Sequence, residues 1–120
     1  MILGIDTTDR EKIYLTLFRD KSEKCFEFET ERQSEDLLIA IDGILKKEKV
    51  SLKDLQAILV CTGPGTFTGL RAGITVGNTL AWVLNIPIIG YKNGDKELTL
   101  AKSKKLKDSG FLKIALPYYS

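Results

Sequence analysis

Hydrophobic and polar positions alternate along the first thirty residues, and after that the period changes. Ile2 to Ile5 is an apolar run that ends in the turn-forming Asp6-Thr7-Thr8-Asp9. From Lys12 to Phe18, Ile13, Leu15 and Leu17 share one face and Tyr14, Thr16 and Phe18 the other, which predicts a strand covered on both sides. Asp20 to Glu23 reads as a polar turn, and Lys24 to Thr30 alternates again around Phe26 and Phe28. Three strands joined by short polar turns predict an antiparallel meander.

Beyond residue 34 the spacing becomes helical. Leu37, Leu38, Ile41, Ile44 and Leu45 form one stripe of a helix predicted over 35–49. Ser34 is placed to cap it, and acids in its first turn and lysines near its end match the macrodipole. Ser51 and Asp54 have the spacing of a capping box for one further turn. Ala57 to Cys61 is uninterruptedly apolar, as in a strand buried on both faces of a parallel sheet, and Gly63-Pro64-Gly65 ends it. A second helix is predicted over 68–84. Another apolar strand follows over 86–90, with Pro87 near its start, where a missing N–H is tolerated. Weaker patterns suggest a helix over 96–107 and a strand over 111–116. Three strands, then helix, strand, helix, strand, predict an α/β fold: a mixed five-stranded sheet, antiparallel then parallel, with helices packed on it. That order fits a ribonuclease-H-like lobe, which is also the repeating lobe of actin and Hsp70. We expect one domain over 1–120, with residues 1–91 forming the lobe and 92–120 a degenerate remnant or tail.

Composition narrows the chemistry. The chain has 120 residues, 43% of them hydrophobic and 28% charged, an ordinary balance for a globular domain large enough for one core. No apolar stretch approaches the ~20 residues of a membrane span. There is no histidine, which removes the commonest general base and metal ligand, so no metal site and no cofactor are expected. Cys25 and Cys61 are expected to be buried small hydrophobes rather than a disulfide. Residues 1–60 are net acidic and residues 61–120 net basic, with Lys102, Lys104, Lys105 and Lys107 in one run. That run reads as a solvated face or as a weak RNA contact.

Two features remain unexplained by core formation. Gly69, Gly73 and Gly77 recur every fourth residue in the second helix and Ala81 continues the row, although three helical glycines cost about 3 kcal/mol relative to alanine. The rest of that helix is apolar nearly all round, so a partner subunit is expected over part of it. Gly73→Leu should then abolish pairing and leave the fold intact. The second feature is a pair of loops, Asp6-Thr7-Thr8 after the first strand and Gly63 to Thr68 before the glycine-rich helix. Backbone N–H groups at a helix N-terminus attract phosphate, which makes Gly63, Gly65 and Thr66 candidates. The likeness to actin and Hsp70, where an acid and small hydroxyl residues after the first strand contact metal and phosphate, adds Asp6, Thr7 and Thr8 to one candidate vestigial phosphate site. The loop has no Gly-Lys-Ser/Thr and is not a P-loop. The alternative is local turn chemistry, for which Asp and Thr are equally suited.

Met1 to Thr8, Ser34-Glu-Asp-Leu-Leu38, Ser51-Leu-Lys-Asp-Leu55 and above all Gly63-Pro-Gly-Thr-Phe-Thr-Gly-Leu-Arg71 resemble the TsaB (YeaZ) family, over about residues 1–101. The resemblance implies an actin/Hsp70-like fold and a cytoplasmic, non-catalytic scaffold. This scaffold would pair with TsaD, the transferase that puts a threonylcarbamoyl group on a tRNA adenosine, and through it with the ATPase TsaE, meeting tRNA only indirectly. It implies a contact through the two helices, with Leu38, Ile41, Leu45, Gly69, Arg71, Gly73, Val76, Gly77, Leu80 and Ala81 as candidate residues, and a homodimer when the chain is alone. Two departures stand out. Gln33-Ser34-Glu35 replaces a common His-Ser-Glu, and the family's second lobe has no counterpart. The alternative function is weak nucleotide binding or hydrolysis at the Asp6–Thr8 and Gly63–Thr68 loops.

Overall fold

The structure, a computed structural model, describes residues 1–9, 11–19, 22–63 and 67–92, with the side chains of residues 33, 34 and 67–69 outside that description. The elements are β1 (Ile2–Asp6), β2 (Lys12–Arg19), β3 (Ser22–Glu29), α1 (Gln33–Lys47), a 3-10 turn (Leu52–Asp54), β4 (Ala57–Gly63), α2 (Phe67–Leu84) and β5 (Ile88–Lys92). The five strands form one sheet in the order β3-β2-β1-β4-β5. β1, β2 and β3 pair antiparallel, and β1, β4 and β5 pair parallel. This is the ribonuclease-H-like arrangement that the change of period predicts. The helix and strand expected over 96–107 and 111–116, and the lysine run at 102–107, lie outside the described residues.

Both helices cover the same side of the sheet. Leu3, Ile5, Ile13, Leu15, Ile58, Val60 and Ile88 project from the strands into one cluster with Leu37, Ile41 and Ile44 of α1 and Leu70 and Ile74 of α2. Each fully buried side chain of this kind stabilises the fold by roughly 1.5–3 kcal/mol. Ile2, Phe18, Ala57, Leu59, Cys61, Ile89 and Tyr91 form a second buried cluster on the opposite side. β4 is buried along its whole length, as its apolar run predicts.

Both helices also stop in the same way. Lys49 and Asn85 have φ of 57° and 55°. Val50 N donates to Leu45 O at 2.8 Å and Ile86 N to Ala81 O at 3.0 Å, so each helix closes in a left-handed cap. The Ser51–Asp54 capping box is present, with Ser51 N donating to Asp54 Oδ2 at 2.9 Å.

Three local expectations are corrected. Ser34 does not cap α1, because the helix already begins at Gln33 and its N-cap, Arg32, supplies no side-chain bond. Asp36 does related work: its Oδ2 accepts from Thr30 Oγ1 at 2.6 Å and from Arg32 N at 3.3 Å, tying the connection after β3 to the first turn of α1. β5 starts two residues later than expected, since Pro87 offers only its carbonyl, which accepts from Ile58 N at 3.0 Å. Cys25 is exposed, because β3 is an edge strand, whereas Cys61 is buried as expected. Burial pushes the Cys61 thiol up to about 11.

Candidate functional site

The two helices turn two very different faces inward and outward. Leu70, Ile74 and Ala81 lie on the inner stripe of α2 with Gly73 and Gly77 between them, all buried. A Cβ on Gly77 would stand 3.1 Å from Ile88 Cδ1, and 3.7 Å from Ile58 Cγ2 and Val60 Cβ. A Cβ on Gly73 would collide with the hydroxyl of Thr7. The glycine row is therefore where α2 comes down onto the sheet. Of the expected contact residues, Ile41, Leu45, Gly73, Val76, Gly77 and Ala81 are all buried within the lobe, Leu80 is half-buried, and Leu38 and Arg71 are exposed. The environment of Gly69 lies outside the described residues. A leucine at position 73 would have to displace the sheet, so that substitution would disturb the fold itself and not a surface alone.

The outward-facing surface is built from other residues. Arg71, Thr75 and Thr79 run along the outside of α2, and Thr79 Oγ1 donates to Thr75 O at 2.8 Å. The same stripe ends in Trp82 and Val83, which are 78% and 66% exposed. On α1, Leu38 and Ile39 are 54% and 71% exposed. The sequence signal for Trp82 was its phase. It falls seven residues after Thr75 and three after Thr79, on the polar stripe and away from the glycines. Ile39, Trp82 and Val83 were absent from the residues expected at the contact. A tryptophan placed in water at the end of a helix that carries one charged residue is the composition of an interface core, where aromatic and arginine side chains are enriched.

The turn after β1 is bound up with itself. Asp6 Oδ1 accepts from Thr8 N at 2.9 Å and from Thr8 Oγ1 at 2.7 Å, a local turn of the kind Asp and Thr form readily. Thr7 is buried beneath α2. Gly63 ends β4 with φ of 112°, a conformation that favours glycine. Next to it Thr62 Oγ1 donates to Tyr91 O at 3.1 Å, tying β4 to β5 where their register shifts. Gly65 and Thr66, the other members of the expected phosphate site, lie outside the described residues. Among the described residues no group of three or more Cys, Asp or Glu side chains is arranged to hold a metal ion, and no helix is long and apolar enough to cross a membrane.

Comparison with known proteins identifies the lineage. The family described as TsaD, tRNA N6-adenosine threonylcarbamoyltransferase, matches residues 27–97, more than half of the chain. The tRNA threonylcarbamoyladenosine biosynthesis protein TsaB of Bacillus subtilis is 45% identical over 49 residues, which are 41% of this chain and 21% of that protein. TsaB of Escherichia coli is 34% identical over 90 residues, which are 74% of this chain and 38% of that protein. The solved structure of YeaZ from Pseudomonas aeruginosa superposes with a TM-score of 0.70 at 27% identity, covering 76% of this chain and 44% of that one. The chain thus spans less than half the length of these relatives. A matching family signature across α1, β4, α2 and β5, relatives named TsaB along most of the lobe and a superposable YeaZ structure together make this chain a member of the tRNA N6-adenosine threonylcarbamoyltransferase family, on its TsaB/YeaZ side.

Proposed function

We propose that this chain serves tRNA threonylcarbamoyladenosine formation as a non-catalytic partner of a TsaD-type transferase, docking through the outer faces of α1 and α2. The observation that carries this reading is the exposed apolar set Trp82, Val83, Leu38 and Ile39 on a helix pair whose inner faces are already filled. The family signature named for the transferase covers this same helix pair, so a TsaD-type protein carries a counterpart of it. Two related lobes that present like surfaces pair readily about an approximate two-fold axis, and the same logic provides a homodimer when the transferase is absent. The absence of histidine supports a subunit that offers a surface rather than a reaction. In this reading the chain works in the cytoplasm. A TsaE-type ATPase joins through the complex, and tRNA is bound by the assembly.

The test is co-purification with a TsaD-type transferase, followed by threonylcarbamoylation of tRNA with and without this chain. Formation of a complex and dependence of the modification on the chain are expected. A transferase that neither binds the chain nor responds to it would rule the reading out.

A further inference from the structure

Gly73 packs against Thr7, the residue that follows β1. A Cβ there would collide with Thr7 Oγ1 and stand 3.4 Å from both Thr7 Cβ and Thr7 Cγ2. At Gly77 the nearest atom is the terminal methyl of Ile88, at 3.1 Å, which can turn aside. Thr7 cannot yield in the same way. Its side chain is β-branched and stiff at χ1, and it is 1% exposed. Its neighbours hold its backbone: Asp6 is paired with Tyr14 across β1 and β2, and Thr8 is hydrogen-bonded through both its N–H and its hydroxyl to Asp6 Oδ1. The continuous hydrogen-bond ladder of α2 lets it shift as one body. A displacement forced at residue 73 is therefore carried to residue 82, roughly 13 Å further along at 1.5 Å per residue.

We infer that Thr7 is a positioning residue for partner docking. Its contact with Gly73 sets the height and rotation of α2 on the sheet, and with them the placement of Arg71, Trp82 and Val83. The inference rests on the docking reading above. It gives the Asp6-Thr7-Thr8 turn the task of seating a helix, and it explains why position 73 carries glycine within a helix interior.

The experiment uses the whole chain in five forms: wild type, Gly73→Ala, Gly77→Ala, Thr7→Ala and the double variant Thr7→Ala/Gly73→Ala. Affinity for a TsaD-type transferase is measured by calorimetry, and amide resonances of the free chain by NMR. Gly73→Ala is expected to weaken binding at least tenfold, although residue 73 is buried, and to shift resonances along 70–84. Gly77→Ala should change affinity less than twofold. In the Thr7→Ala background, adding Gly73→Ala should change affinity less than twofold, because the obstructing hydroxyl is gone. A loss that arises from replacing glycine at residue 73 alone, without the contact to Thr7, would not be cancelled in this way. Unchanged affinity in Gly73→Ala, or an equal loss in both backgrounds, would overturn the inference. If Gly73→Ala does not fold, Thr7→Ala and Thr7→Ser decide: the first should shift resonances across α2 and the second should not, and an unmoved α2 in both counts against it. If the wild-type chain binds no transferase, the docking reading fails and the spectra alone judge the seating. Shifts along the whole of α2 that revert in the double variant keep it, and shifts confined to the surroundings of residues 7 and 73 refute it.

Discussion

α1 and α2 lie side by side on one face of the sheet and end in the same left-handed cap, yet their outer faces differ. α1 has Glu35 and Asp36 in its first turn and Lys46 and Lys47 in its last, and Lys46 Nζ meets Asp42 at 2.9 Å. This is the surface of a helix that meets water, and its macrodipole is matched at both ends. α2 has no acid in its first turn and no base in its last, and its outer stripe ends in Trp82 and Val83. Both helices contribute large apolar side chains to the same core cluster, although only α2 adds a narrow glycine row to its inner side. Among the described residues nothing covers the indole of Trp82 or the neighbouring Val83, which is why the proposed docking is placed on α2. On α1 the exposed Leu38 and Ile39 lie between the acids of the first turn and the charged second half.

The largest expected effects test the claim that both helices are anchored in one core. Leu37→Ala in α1 and Ile74→Ala in α2 should each cost about 2–5 kcal/mol in urea unfolding, since both are buried in the same cluster. A large inequality would mean that the helices differ in their packing as well as in their outer surfaces. Next is the outer face. Trp82→Glu should weaken binding to a TsaD-type transferase by about 2 kcal/mol or more, the scale of an interface hot spot. Its unfolding midpoint should stay near that of wild type, because Trp82 is 78% exposed. Lys46→Ala on α1 should alter binding less than twofold.

A smaller effect separates two helical glycines. Nothing lies within 4 Å of a Cβ built on Gly43 of α1, so Gly43→Ala should stabilise the chain by about 1 kcal/mol through helix propensity alone. Gly73→Ala in α2 should destabilise it instead, because of Thr7. Thermal unfolding of the two variants reads the opposite signs directly. The smallest effect is a pH dependence confined to α1. The Thr30 hydroxyl, and after it the Arg32 N–H, hold the Asp36 carboxyl below its ordinary value of 3.8. A depressed carboxyl contributes stability that is present above the ordinary value and is lost as pH falls through the depressed one. Asp36→Asn should flatten the acid limb of the stability curve.

The fold was legible because the period of the apolar pattern changes from two to 3.6 after residue 34, and because β4 reads as a buried run with glycines behind it. The site was legible only in part. Helical spacing states which residues share a face but not which face turns inward. The row of Gly73, Gly77 and Ala81 was expected at the partner contact, whereas in three dimensions it is the narrow side on which α2 approaches β1 and β4. Leu38 was read into the apolar stripe of α1 with Leu37 and Ile41, yet it turns outward, and Trp82 could have been placed outside from its phase with Thr75 and Thr79. Ser34 was a good cap by residue type, but a long-range bond from Thr30 to Asp36 organises that helix start, and pattern along the chain does not contain it. Cys25 looked like a core residue because its strand alternates, and only the strand order places it at an edge.

Trp82 is the single tryptophan of the chain, which makes the central claim directly measurable. With the chain labelled by 5-fluorotryptophan, its one ¹⁹F resonance can be followed while a TsaD-type transferase is added. Docking through the outer face of α2 predicts that the resonance shifts and broadens, saturating at one transferase per chain. A resonance that stays in place while the two proteins demonstrably bind would put the contact elsewhere and contradict this account of α2.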